Sequence, residues 1–190
     1  PARFKLALRY FLDRHNGAVP PSLGLMAGIV FAVARNWVRA DRQVLDELRR
    51  ADGLILPGVG AFPAGMELLR AGGLDELLHE RASAGIPVFG ACLGMQLLFD
   101  GSPEHGGAHA LGLIPGTVRR LSAPGLKLPH IGWSDVRWAG SSPLLDGLPD
   151  PAVFYHVHSY VPHPDDDADV LGVSEYGTPF ASVVGRGSVF

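Results

Sequence analysis

A chain of 190 residues, 47% hydrophobic and 18% charged with a formal net charge of −3, can bury a sizeable core as one unit. It lacks the basic excess that a nucleic-acid partner requires. No run of about 18 apolar residues offers a membrane span, and Arg3, Lys5, Arg9, Asp13, Arg14 and His15 interrupt any leader-like stretch. A single cysteine forms no internal disulfide, so a reducing, cytoplasmic setting is expected.

In chain order, "FKLALRYFLDRH" (4–15) is predicted as a helix, "NGAVPPSLG" (16–24) as a linker and "GIVFAVAR" (28–35) as a short β-rich run. "VLDELRRADG" (44–53) has helical spacing that stops at a glycine. "GLILPGVG" (53–60) reads as a buried strand running into a glycine-rich turn. Residues 65–85 read as two helices broken at Gly72 and Gly73. "IPVFGA" (86–91) is a second buried strand, and "CLGMQLLFD" (92–100) is predicted as the helix that follows. Strands that are apolar throughout, alternating with helices, predict an α/β fold with an open, mostly parallel sheet flanked by helices. After Gly101 the chain becomes β-rich. Short strands are expected in 112–121, 130–138, 152–161 and 169–177, with a hairpin in 179–190, extending or edging the sheet. The aspartates of "HPDDDAD" (163–169) lack EF-hand spacing and are expected in a solvated turn.

Cys92 stands at the junction of strand and helix, with Gly90 before it and Gly94 after it. That layout is a nucleophile elbow: a sharp turn presents the reactive side chain, and tiny neighbours let strand and helix approach. A helix N-terminus there favours a thiolate, and the amide of Leu93 can face an oxyanion. A buried structural cysteine is the competing reading, and the bracketing glycines favour the nucleophile. Gly58 and Gly60 permit backbone angles closed to other residues, so a peptide of this turn can rotate to present an amide. His156 and His158 share one face of a strand, but no third ligand accompanies them, and no metal is expected.

"GACLGMQLLF" resembles the nucleophile motif of class I glutamine amidotransferases. "LPGVGAF" (56–62) is similar to the oxyanion strand of one branch, the glutaminase subunits of imidazole glycerol phosphate synthases. "ALGLIPGTVRRL", "LPHIGW" (128–133), "FYHVHSY" (154–160) and "GVSEYG" (172–177) follow in that branch's order. The resemblance runs over residues 44–190, taken as an amidotransferase domain, after an atypical segment 1–43. It implies that Cys92 attacks the carboxamide of glutamine, with Val59, Gly60 and Leu93 at the oxyanion. Gly58, Gln96, Glu104, Ser159 and Tyr160 are implied at the substrate and Trp133 at the partner interface. It further implies no cofactor, and a heterodimer with a (β/α)₈ synthase (cyclase) subunit that receives the ammonia and makes imidazole glycerol phosphate and AICAR in histidine biosynthesis. Ser134 stands where that branch usually has asparagine.

The resemblance also implies a histidine, with a glutamate two residues on, near the end of the chain. No such pair stands there, for the sequence stops at "GRGSVF". The expectation is a truncated chain lacking both residues; a catalytically inactive scaffold or regulatory subunit is the alternative. Another class I amidotransferase, such as the pyridoxal phosphate synthase glutaminase, is disfavoured by "LPGVGAF" and "LPHIGW".

Overall fold

The computed structural model describes residues 42–190; the helix, linker and β-run expected within 4–35 lie outside the described residues. Helix α1 (Arg42–Arg50) carries Arg49 and Arg50 in its last turn, where cations complement the helix dipole. Strand β1 (Leu54–Gly58) and strand β2 (Val88–Cys92) pair in parallel, from Leu54 beside Val88 to Gly58 beside Cys92. Between them run α2 (Phe62–Ala71) and α3 (Leu74–Ser83). The break falls at the two glycines, where Gly73 takes a left-handed φ of 65° that an L side chain resists.

Phe62, Met66 and Leu69 of α2 and Leu77 of α3 are almost wholly buried. They join Leu54, Leu56 and Val88 of the parallel strands in one cluster. Each such side chain contributes about 1.5–3 kcal/mol on leaving water. This cluster holds the ends of β1 and β2 side by side.

The helix expected over 92–100 is shorter: α4 is the single turn Leu93–Gln96. Leu97, Leu98 and Phe99 follow, and all three are fully buried. The Leu98 and Phe99 N–H groups donate three residues back, to the Met95 and Gln96 carbonyls, so the α-helical ladder ends in tight turns as the chain enters the core. The dipole of one turn is correspondingly small, and any help to a thiolate comes from the local amides rather than a long helix.

The second half forms two sheets of four strands. One has the order β4 (Ala108–His109), β3 (Gly101–Ser102), β5 (Gly116–Arg120) and β8 (Tyr160–Pro164). The other has β10 (Thr178–Val184), β9 (Val170–Tyr176), β6 (His130–Trp138) and β7 (Ala152–His158). The strand expected at 152–161 is thus split at Ser159 between two sheets. Nor does 179–190 make a hairpin of its own. β10 pairs with β9, and the tail then turns so that Val189 lies parallel to Val88, with Gly90 N donating to the Phe190 carbonyl. The acidic loop is only partly solvated. Asp169 is buried and accepts from Arg186 Nε at 2.8 Å, while Asp166 lies 3.3 Å from the same guanidinium.

The β6–β7 pair has two distinct faces. On the inner face His130, His156 and His158 cluster, with ring centroids 5.1–5.4 Å apart. Tyr176 of β9 stacks on His130 at 4.0 Å, and Phe180 of β10 borders all three rings. His156 Nε2 bonds Ser182 Oγ at 2.9 Å, and His130 Nε2 bonds Ser134 Oγ at 3.0 Å. Burial, then repulsion from His156 and His130, pulls His158 down from 6.5 to about 4, and His130 and His156 are lowered as well. The folded cluster therefore holds fewer protons than the unfolded chain between these values. Stability is complete above about pH 6.5 and declines as pH falls towards about 4. The His158 share, discounted for partial exposure, is on the order of 1–2 kcal/mol. Urea midpoints measured at pH 7.5 and pH 5 should show this loss, and His158→Phe should reduce it.

Candidate active site

The elbow is built by close backbone approach. Cys92 ends β2 with φ 56° and ψ −120°, a strained conformation for a residue with a side chain. A Cβ on Gly90 would lie 2.5 Å from the Met95 Cα, and one on Gly94 would fall onto the Leu56 carbonyl oxygen. A Cβ on Gly58 would lie 2.8 Å from the Gly94 nitrogen. Only glycines let β1, β2 and α4 converge at this point. The Cys92 thiol is exposed, and among the described residues none hydrogen-bonds to it.

Gly58 is the direct partner of Cys92 in the parallel register, so adjacent strands bring the two within about 5 Å. Past Gly58 the turn swings outward. Val59 is 90% exposed, and Gly60 has φ 103° with nothing near the position of a Cβ. Leu93 is the first residue of α4, so its N–H has no partner within the helix. The glycine turn thus follows directly on the residue beside Cys92, and the free Leu93 N–H adjoins the exposed sulfur in sequence. Such an arrangement can hold the negative charge of a tetrahedral adduct.

Gln96 is buried and its Nε2 donates to the Tyr160 carbonyl at 3.1 Å, tying α4 to the start of β8. Ser159, beside it, accepts from the Leu121 N–H through its own carbonyl. Glu104 comes back towards the turn, and its Oε2 accepts from the Phe62 N–H at 2.9 Å. Two hydrogen bonds thus link the helix after Cys92 to β8, and the residue Glu104 to the start of α2. Trp133 lies apart, 60% exposed on the outer face of β6, with Tyr155 of β7 edge-on at 5.3 Å.

A His-x-acid triplet does occur after Cys92, in His163–Pro164–Asp165, which the expectation for the chain's end leaves out of account. His163 is exposed on β8 opposite Thr117, and burial followed by the Arg119 charge lowers it. It makes no hydrogen bond to Cys92, so the triplet is a surface feature of an edge strand. The contact missed at the sequence level is Glu104 to Phe62, and the uncapped start of α2 at Ala61 is the one signal that hints at it. Among the described residues no cluster of three or more His, Cys, Asp or Glu is arranged to hold a metal ion. None of their helices is long and apolar enough to cross a membrane.

The family model for class I glutamine amidotransferases matches residues 27–189. The imidazole glycerol phosphate synthase subunit HisH of Bacillus cereus (strain G9842) is 45% identical over 157 residues, covering 83% of this chain and 73% of that protein. The subunit HisH of Moorella thermoacetica is 46% identical over 144 residues, covering 76% and 68%. A crystal structure of a glutamine amidotransferase shares the fold, with a TM-score of 0.52 at 19% identity over 70% of each chain. The elbow and these likenesses agree: the chain belongs to the class I glutamine amidotransferase family, in its HisH branch.

Proposed function

We propose that Cys92 is the nucleophile of a glutaminase that serves an imidazole glycerol phosphate synthase. The carrying observation is the register that seats an exposed, strained Cys92 beside Gly58. The thiolate attacks the glutamine carboxamide carbon, and amides of Gly60 and Leu93, with the Val59 peptide, receive the developing oxyanion. Collapse of the adduct breaks the C–N bond and releases ammonia, leaving a thioester; water then frees glutamate and restores the thiol. A base must take the thiol proton and return one to the leaving ammonia.

Gly58, Gln96, Glu104, Ser159 and Tyr160 are proposed at the substrate. The bond from Gln96 to the Tyr160 carbonyl supports this, because it draws two of these segments together. The ammonia passes to a synthase subunit, proposed as a (β/α)₈ barrel in a heterodimer, which makes imidazole glycerol phosphate and AICAR for histidine biosynthesis. A catalytic free thiol suits a reducing compartment, and the cytoplasm is the proposed location.

The outer face of β6–β7 supports a docking role. Ile131 pairs with Val157 and Trp133 with Tyr155, and all four are more than half exposed. Four neighbouring exposed apolar side chains support an interface on this face. Trp133→Asp should weaken association with the synthase subunit by at least about tenfold, measured by titration calorimetry, with the unfolding midpoint almost unchanged. The activity itself is tested by following glutamate release from glutamine by the full-length protein, alone and with that subunit. Turnover should rise strongly on assembly. Equal turnover in both states contradicts the coupling, and none in either contradicts the function.

A further inference from the structure

Glu104 follows the nucleophile turn by twelve residues in sequence, yet its carboxylate serves the other side of the site. Helix α2 starts at Ala61 without any side-chain cap, and Pro63 in its first turn has no N–H. The Phe62 N–H is therefore an orphan donor, and Glu104 Oε2 takes it at 2.9 Å from 42 residues away. The carboxylate is itself held in place. Its side chain is only 15% exposed, and the Glu104 N–H donates to the buried Ser102 Oγ at 3.2 Å. Ser102 in turn belongs to β3, which pairs with both β4 and β5.

The turn on the receiving end has little else to fix it. Val59 is 90% exposed, and no atom lies near the Cβ position of Gly60. Phe62, two residues beyond Gly60, is thus the first anchored amide after Gly58. An anion at the N-terminus of a ten-residue helix is also favoured by the helix dipole. We propose that Glu104 is a positioning residue for the oxyanion turn: Oε2 fixes the Phe62 amide and so the placing of Val59 and Gly60 against Cys92. Oε1 lies 3.9 Å from the exposed His105 ring and makes no closer polar contact. The oxyanion role of the turn rests on the glutaminase reading; the hold of Glu104 on the Phe62 amide does not.

The test uses the full-length protein and two readouts. In Glu104→Ala, hydrogen exchange at the Phe62 amide, read by NMR, should speed up about tenfold or more, as a lost charge-assisted bond requires. Glu104→Gln keeps an acceptor oxygen and should stay within severalfold of the parent. The second readout is labelling of Cys92 by a chloroketone analogue of glutamine that lacks the α-amino group, divided by labelling with iodoacetamide. The first reagent needs a placed oxyanion donor and the second does not, so the ratio should fall about tenfold in Glu104→Ala. Unchanged exchange at Phe62, or an unchanged ratio, overturns the proposal. A parent protein in which the amino-bearing chloroketone gains nothing over iodoacetamide contradicts the glutaminase reading instead, while the exchange data still decide the hold on the turn.

Discussion

Cys92→Ala, made in the full-length protein and assembled with its synthase subunit, should abolish glutamine-dependent product formation while added ammonium salts still sustain the synthase. The loss should exceed about 10⁴-fold, because a missing nucleophile leaves only binding and oxyanion contributions. Folding should hardly change. The thiol is exposed, and the substitution keeps the Cβ and removes no hydrogen bond. The ammonium arm separates a chemical loss from a structural one, since a collapsed subunit would also disturb the complex. Retained glutamine use would mean that the chemistry lies elsewhere.

Gly94→Ala should be the most damaging single methyl in the described chain. Its Cβ would fall on the carbonyl oxygen of Leu56, a backbone atom inside the paired strand β1. Neither partner is a flexible side-chain end, so relief requires that β1 and α4 part. The expected cost is about 3 kcal/mol or more, read from the denaturant midpoint. Parting them also disturbs the register of Gly58 with Cys92, so activity should fall along with stability. Gly60→Ala is the control, for its Cβ meets nothing within 4 Å. It bears only the cost of a positive φ, about 1 kcal/mol. Equal destabilisation by the two changes would contradict the close-approach account of the elbow.

The parts of the site that could be read in advance are those made by neighbours in sequence. Gly90, Cys92 and Gly94 lie within five residues, and the steric demand of the elbow acts over that span. The break at Gly72–Gly73 and the strands at 54–58 and 130–138 are likewise local, written in turn chemistry and apolar runs. The length of α4 was not legible, because "LLF" suits a helix as well as a core segment until the Leu98 and Phe99 N–H groups are seen to donate three residues back. The histidine cluster depends on the register that sets His130 opposite His158 and Gly132 opposite His156, which no single strand encodes. The pairing of Arg186 with Asp169, and of Glu104 with the Phe62 amide, joins segments 17 and 42 residues apart. Charges in a run such as "DDDAD" look solvated until a distant arginine selects one of them. The alternation of His156 and His158 was visible, but the apolar outer face opposite them became a surface only when β6 and β7 paired.

One sulfur carries the proposed chemistry, and electrophile mapping reaches it most directly. The full-length protein, complexed with its synthase subunit, is incubated with 6-diazo-5-oxo-L-norleucine, a glutamine mimic that traps a thiol nucleophile, and digested for mass spectrometry. A single adduct on Cys92, suppressed by excess glutamine, is the predicted result. An unmodified Cys92 that iodoacetamide still labels readily, or an adduct that glutamine does not suppress, would contradict it.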